Sequence, residues 1–242
     1  MMALKRWLDR LIGITGYQIR RQPSLTRQIA RGNYRWLQER GIATVLDVGA
    51  NTGQFAAKIR QILPQAMIYS FEPLESCFKE LVAVSTRLQP MRCFNCALGS
   101  ESSLLTMQRN EYTPSSSILP ITPRTVDAFP STAKSVEEQV TVRALDELIG
   151  ELSLKKEILM KVDVQGYELN VLRGAERSLP QIAMIIVETS FVELYKNQPL
   201  FHDVYKFLTG REFSYAGNFD QLLSPVNGAV LQSDAIFVNT RR

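Results

Sequence analysis

From residue 42 onward, short apolar runs alternate with amphipathic stretches along the chain. Ile42–Val48 (IATVLDV) is apolar and β-branched, interrupted by one acid and followed by glycine, which is the pattern of a strand buried on both faces of a parallel sheet. Gln54–Leu63 sets Phe55, Ile59 and Ile62 on one face and stops before Pro64, so it predicts a helix. The alternation continues with a strand at Ala66–Phe71, a helix at Glu75–Leu88 and a strand at Met91–Asn95. It resumes with a strand at Glu157–Val164, a helix at Tyr167–Leu179, a strand at Ile182–Val187 and a helix at His202–Leu208. Two weaker strands, Phe213–Ala216 and Ala235–Asn239, are expected as an antiparallel edge pair. Such alternation predicts an α/β, doubly wound, mostly parallel sheet. The segment 99–140 departs from it, with short polar strands and a Ser/Thr/Pro-rich stretch of a length that marks a lid, a substrate loop or disorder.

Composition narrows the function. The 242 residues suit one α/β domain with extra material, and a 45% apolar content excludes wholesale disorder. Three scattered cysteines make no disulfide framework and point to a reducing compartment, hence a cytoplasmic expectation. The single histidine excludes any site built on two or three imidazoles. No apolar stretch approaches the roughly 18–20 residues of a membrane span, and the start, MMALKRWLDRLIGITG, lacks the apolar core of a signal peptide. Residues 1–40 hold nine Lys/Arg against Asp9 and Glu39, a balance of +7 in a chain of net +4, so the remainder sums to −3. That remainder is not a nucleic-acid surface by composition. The leader sets Leu4, Trp7, Leu8, Leu11 and Ile12 at helical spacing, predicting a basic helical extension over 1–40 ahead of a domain at 41–242. A peripheral membrane contact through residues 1–22 and a cap packed on the main domain are the two readings, with the cap favoured.

The chemistry gathers at strand ends. VLDVGANTGQF (45–55) puts glycines in a strand-to-helix turn, where a ligand can approach the backbone. A dinucleotide fingerprint needs a central glycine, and Asn51 stands there instead, between Gly49 and Gly53. Asp47 would repel a diphosphate and attract a ligand bearing positive charge, such as the sulfonium and ammonium of S-adenosylmethionine. The second strand ends in FEP, placing Glu72 nineteen residues after Gly53, where a carboxylate accepts from both hydroxyls of an adenosine ribose. A nicotinamide-dependent dehydrogenase shares that acid but not the substituted turn. A binding module without chemistry and an RNA or protein methyltransferase are further rivals.

The string DVGANTGQF, then FEP, NCALG (95–99), LMKVDVQGYELNVLRGA (159–175) and IIVETSF (185–191) resembles the FkbM family of S-adenosylmethionine-dependent methyltransferases, over roughly residues 42–240. The resemblance implies a class I methyltransferase fold, with a seven-stranded sheet whose last strand is antiparallel. It also implies methyl transfer to a hydroxyl of a sugar, a glycolipid or polysaccharide precursor, or a polyketide-like metabolite. By the same resemblance, Asp47, Gly49, Asn51 and Gly53 hold the methionine end. Glu72, with Pro73 beside it, serves the ribose, and Asn95, Cys96 and Ala97 lie near the adenine.

The fourth predicted strand of the sheet ends at Asp163, followed by Val164-Gln165 rather than the two prolines common where an amino nitrogen is methylated. A hydroxyl acceptor becomes the expectation, and it needs a group that takes its proton. Asp163 and Glu188, at the ends of adjacent strands, are the candidate carboxylates, each also readable as structural or as steadying the sulfonium. Two carboxylates and water would suit magnesium, but no third acid is placed by the sequence, so no metal is expected. His202 is a third candidate base, with a surface helix-start residue as the blander reading. Cys93 and Cys96 lack a second Cys/His pair and read as structural. Ser115–Ser117 line an acceptor pocket or belong to a plain linker.

Overall fold

The computed structural model describes residues 24–241. The chain divides into two units, one ending at Trp36 and one beginning at Leu37. In the first, Ser24 caps a helix over Leu25–Ala30 by accepting from the Arg27 N–H. A further short helix, Arg35–Gln38, crosses the division. The amphipathic stretch Leu4–Ile12, and with it the proposed membrane contact through residues 1–22, lies outside the described residues.

In the second unit the described strands are β1 (Thr44–Val48), β2 (Met67–Phe71), β3 (Met91–Phe94), β4 (Ala97–Leu98), β5 (Ser103–Asn110), β6 (Ser135–Arg143), β7 (Ile158–Val162), β8 (Met184–Ser190), β9 (Phe213–Leu223) and β10 (Val230–Asn239). Seven form one sheet in the order β3-β2-β1-β7-β8-β10-β9. β10 runs antiparallel to both neighbours, while β1, β2, β3, β7 and β8 pair in parallel. Every residue of β1 and of β7 is buried, which explains their near-continuous apolar runs. The core beneath them joins Leu46, Val48, Phe71, Met160, Ile185 and Phe237 among others.

The tail forms the expected antiparallel pair at the sheet edge. Within the pair β10 inserts between β8 and β9, because its Ala235 and Phe237 are fully buried while most of β9 faces solvent. Both strands are longer than predicted and are joined by a turn closed by Ser224 N–H donating to the Ala229 carbonyl at 2.8 Å. The helix expected to reach Leu179 spans only Glu168–Arg173 and gives way at Gly174, where a side chain would collide with the Gly99 carbonyl. The 99–140 region joins β4 in a second sheet, β4-β6-β5, whose long β5 and β6 pair antiparallel. The stretch between them carries a helix at Pro123–Ala128 and is tied to the segment after β8 by Thr125 Oγ1 donating to the Leu194 carbonyl at 2.6 Å.

Candidate active site

Strand register alone assembles a row of charges. Asp47 on β1 pairs with Ser70 on β2 and with Lys161 on β7, so the three side chains share one face of the sheet. Two residues beyond Lys161, Asp163 falls beside Glu188 of β8, and Glu188 pairs directly with Asp234 of β10. Three carboxylates therefore lie in line across adjacent strands, with one buried ammonium at their base. Lys161 Nζ is 3.2 Å from Asp163 Oδ2 and 2.9 Å from Asp234 Oδ1. Burial alone would depress the lysine's proton affinity, but Asp163, Asp234 and Glu188 together raise it, so the ammonium stays charged. Burial pushes the Glu188 carboxyl well up, and the charge of Asp163 pushes it further. Burial also raises Asp47 to about 6, although the Ser70 hydroxyl donates to it at 2.9 Å.

A cavity of 730 Å3 opens at the carboxyl ends of these strands, within the roughly 300–1,000 Å3 usual for small-molecule sites. At one end stands Glu72, just past β2. Its two carboxylate oxygens accept the Asn51 N–H at 2.8 Å and the Leu74 N–H at 2.9 Å, and burial lifts it to about 7. Apolar groups of Pro73, Leu74, Ala97, Leu98 and Met107 surround that end. Asp163, Glu188, Gln232 and Asp234 line the other. Lys58, whose ammonium stands 4.2 Å from the centre of the Phe219 ring, and Leu222 border the same cavity.

Two non-glycine residues in the left-handed region border the cavity, Asn51 (φ 46°) after β1 and Gln165 (φ 54°) after β7. Strain of this kind, of order 1–3 kcal/mol per residue, persists only where surroundings enforce it. At Gln165 they do. Its amide nitrogen donates to Asp163 Oδ1 at 2.9 Å and to Glu188 Oε2 at 2.7 Å, and its amide oxygen accepts from Tyr195 at 2.7 Å. Ser117 donates to its carbonyl at 2.6 Å, and Glu168 accepts the flanking Val164 and Gly166 N–H groups. Gln232 Nε2 adds a second donor to Glu188 Oε2 at 2.8 Å. Both of these hydrogen bonds go to Oε2, and among the described residues none is made to Glu188 Oε1.

Of the residues expected from the sequence, Gly49, Asn51, Glu72, Pro73, Ala97, Asp163 and Glu188 line this one cavity. Asp47 lies beneath the turn and is buried. Gly53 (φ 93°) packs on Leu81 and Val84, where a side chain would crowd the neighbouring helix. Asn95 ties the strand exits by donating to the Glu72 and Pro73 carbonyls, both at 3.0 Å. Cys96 is buried in the core, its thiol pushed up to about 11 by burial. His202 is not among the lining residues; its side chain is 75% exposed and lies 3.1 Å from Asp203. Ser115 and Ser116 line the cavity, whereas Ser117 faces the Gln165 carbonyl. The third acid that the sequence did not place is Asp234, and Lys161 was missed with it.

A profile described as the methyltransferase FkbM domain matches residues 47–215. The chain belongs to the FkbM methyltransferase family. Its seven-stranded sheet with one reversed strand is the class I methyltransferase fold. Methyltransferase 1 of Beauveria bassiana is 33% identical over 148 residues, covering 54% of this chain and 58% of that protein. The 2-O-methyltransferase NoeI of Sinorhizobium fredii is 27% identical over 170 residues, covering 67% and 69%. Hexuronic acid methyltransferase AglP of Haloferax volcanii is 30% identical over 144 residues, covering 59% and 54%. The match thus spans little more than half the length of two of these relatives. Among the described residues no helix is long and apolar enough to cross a membrane.

Proposed function

We propose that the chain is an S-adenosylmethionine-dependent O-methyltransferase acting on a hydroxyl of a sugar, a glycolipid or polysaccharide precursor, or a polyketide-like metabolite. One observation carries this reading: a single cavity is lined by both Glu72 and Glu188. The residues present suit the cofactor. Glu72 offers two carboxylate oxygens to ribose hydroxyls, apolar groups of Pro73, Leu98 and Met107 offer a surface for an adenine ring, and the acidic row suits a sulfonium. When bound, the cofactor supplies a methyl group already activated on sulfur.

The chain's own residues then have two tasks, alignment and proton removal. Gln165 and Gln232 clamp Glu188 Oε2, which leaves Oε1 as the acceptor of the hydroxyl proton. A carboxylate whose proton affinity is raised by burial is a better base near neutrality than an exposed one. The stretch around Ser115 and Tyr195 covers the site and keeps water out while the bond forms. Two relatives named for 2-O-methyl transfer and for hexuronic acid support a sugar oxygen. The test is transfer from isotopically labelled S-adenosylmethionine to a panel of hydroxylated glycans and polyketides, read as a mass gain of one methyl. A product methylated on nitrogen, or transfer only to RNA, would overturn the reading.

A further inference from the structure

The ligand oxygens of Asp163, Glu188 and Asp234 all lie within 4.8 Å of one another, a spacing at which three carboxylates can hold a divalent ion. Here a cation already stands against the trio. Lys161 Nζ reaches it from below, with its side chain only 4% exposed and both of its ion pairs directed to the outer two acids. A buried ammonium of this kind is tolerated only because it is paired, and the carboxylates likewise depend on it. The pairing is unequal. Asp163 and Asp234 contact the ammonium directly, whereas Glu188 is held by the neutral amides of Gln165 and Gln232.

We propose that Lys161 is a built-in substitute for a metal ion: its ammonium neutralises Asp163 and Asp234, excludes a divalent cation from the three-carboxylate cluster, and thereby assigns proton uptake to Glu188. The part concerning Glu188 rests on the methyl-transfer reading above; the occupancy of the cluster does not. Lys161 is a positioning residue, since it reaches the acceptor only through the acids it fixes. A divalent ion entering between these carboxylates would meet the fixed charge of Lys161 at close range, in surroundings that screen it poorly.

The test is calorimetric titration of the full chain with Mn2+ and, separately, with S-adenosylhomocysteine. Wild type and Lys161→Arg are expected to give no saturable Mn2+ heat. Lys161→Ala is expected to bind one Mn2+ saturably, at least tenfold more tightly than the weakest binding the titration would detect in wild type, and adding Asp234→Asn is expected to abolish that gain. Lys161→Met, which keeps most of the side-chain volume, takes its place if the alanine variant does not fold. Saturable Mn2+ binding by wild type that disappears in Asp234→Asn would overturn the proposal. So would a folded Lys161→Ala or Lys161→Met protein that binds S-adenosylhomocysteine but gains no Mn2+. Loss of S-adenosylhomocysteine binding in wild type would sink the methyltransferase reading instead, leaving the Mn2+ results to judge Lys161 independently.

Discussion

Gly49 approaches Asp163 so closely that a β-carbon on the glycine would overlap the aspartate's carbonyl oxygen. The turn after β1 and the exit of β7 are thus in backbone contact. Gly49 also sits at φ 80°, where a side chain is strained. Gly49→Ala is expected to destabilise the fold by at least ~2 kcal/mol, from backbone strain and overpacking combined. Urea unfolding measures it; a loss below about 0.5 kcal/mol would mean the contact is soft.

Glu72 makes a different prediction, on ligand affinity rather than stability. Glu72→Ala removes the acceptor for ribose hydroxyls together with the partner of the Asn51 and Leu74 N–H groups. A hydrogen bond to a charged group contributes about 1.5–3 kcal/mol, so losing even one lowers S-adenosylhomocysteine affinity by at least roughly tenfold. Calorimetry on the variant decides, and unchanged affinity would place the ribose elsewhere.

Glu188→Gln separates base from binder. The amide keeps nearly the same shape but cannot take the hydroxyl proton, and general-base contributions run at about 10²–10⁴-fold. Methyl transfer is expected to drop at least ~100-fold while S-adenosylhomocysteine affinity stays within about twofold. A rate near wild type would hand the proton to another group.

Stability should fall as pH rises through the acid-to-neutral range. Asp47 is raised to about 6, and Glu72 and Glu168 to about 7, all chiefly by burial. Unfolded, such groups release their protons near pH 4. Between roughly pH 4 and 7 the folded chain therefore holds more protons than the unfolded one, and this contribution is lost as pH climbs through the folded values. Glu168→Gln keeps an acceptor for the Val164 and Gly166 N–H groups without the ionisation, so it should flatten the slope, by up to ~3 kcal/mol across the window. Thermal unfolding of both proteins at pH 5 and pH 8 checks the sign. A wild type more stable at pH 8 than at pH 5, with no flattening in the variant, would contradict it.

The sequence made the donor end legible because its signal is local. A strand, a glycine turn with Asn51 at its centre and an acid after the next strand lie within 26 residues of one another, from Asp47 to Glu72. Asp163 and Glu188 were legible as acids at apolar strand ends. Their partners were not. Asp234 joins them only through the antiparallel register of β10, and that register depends on β10 inserting inside β9, which no local pattern specifies. Lys161 did leave a signal, a lone charge inside ILMKV, a run too apolar for a solvated lysine unless acids await it. The placement of Ser117 against the β7 exit and of Ser115 against Tyr195 is long-range and lay beyond pattern reading. His202 illustrates the reverse, a residue attractive by chemical type whose side chain faces solvent.

The proposed function places S-adenosylmethionine in the cavity between Glu72 and Glu188, with its methyl directed at a hydroxyl acceptor. A crystal structure of the chain with S-adenosylhomocysteine tests it most directly. Ribose hydroxyls are expected within hydrogen-bond reach of the Glu72 carboxylate, with the sulfur facing the side of the cavity lined by Asp163 and Glu188. A ligand bound without Glu72, or a sulfur turned away from Asp163 and Glu188, would contradict it.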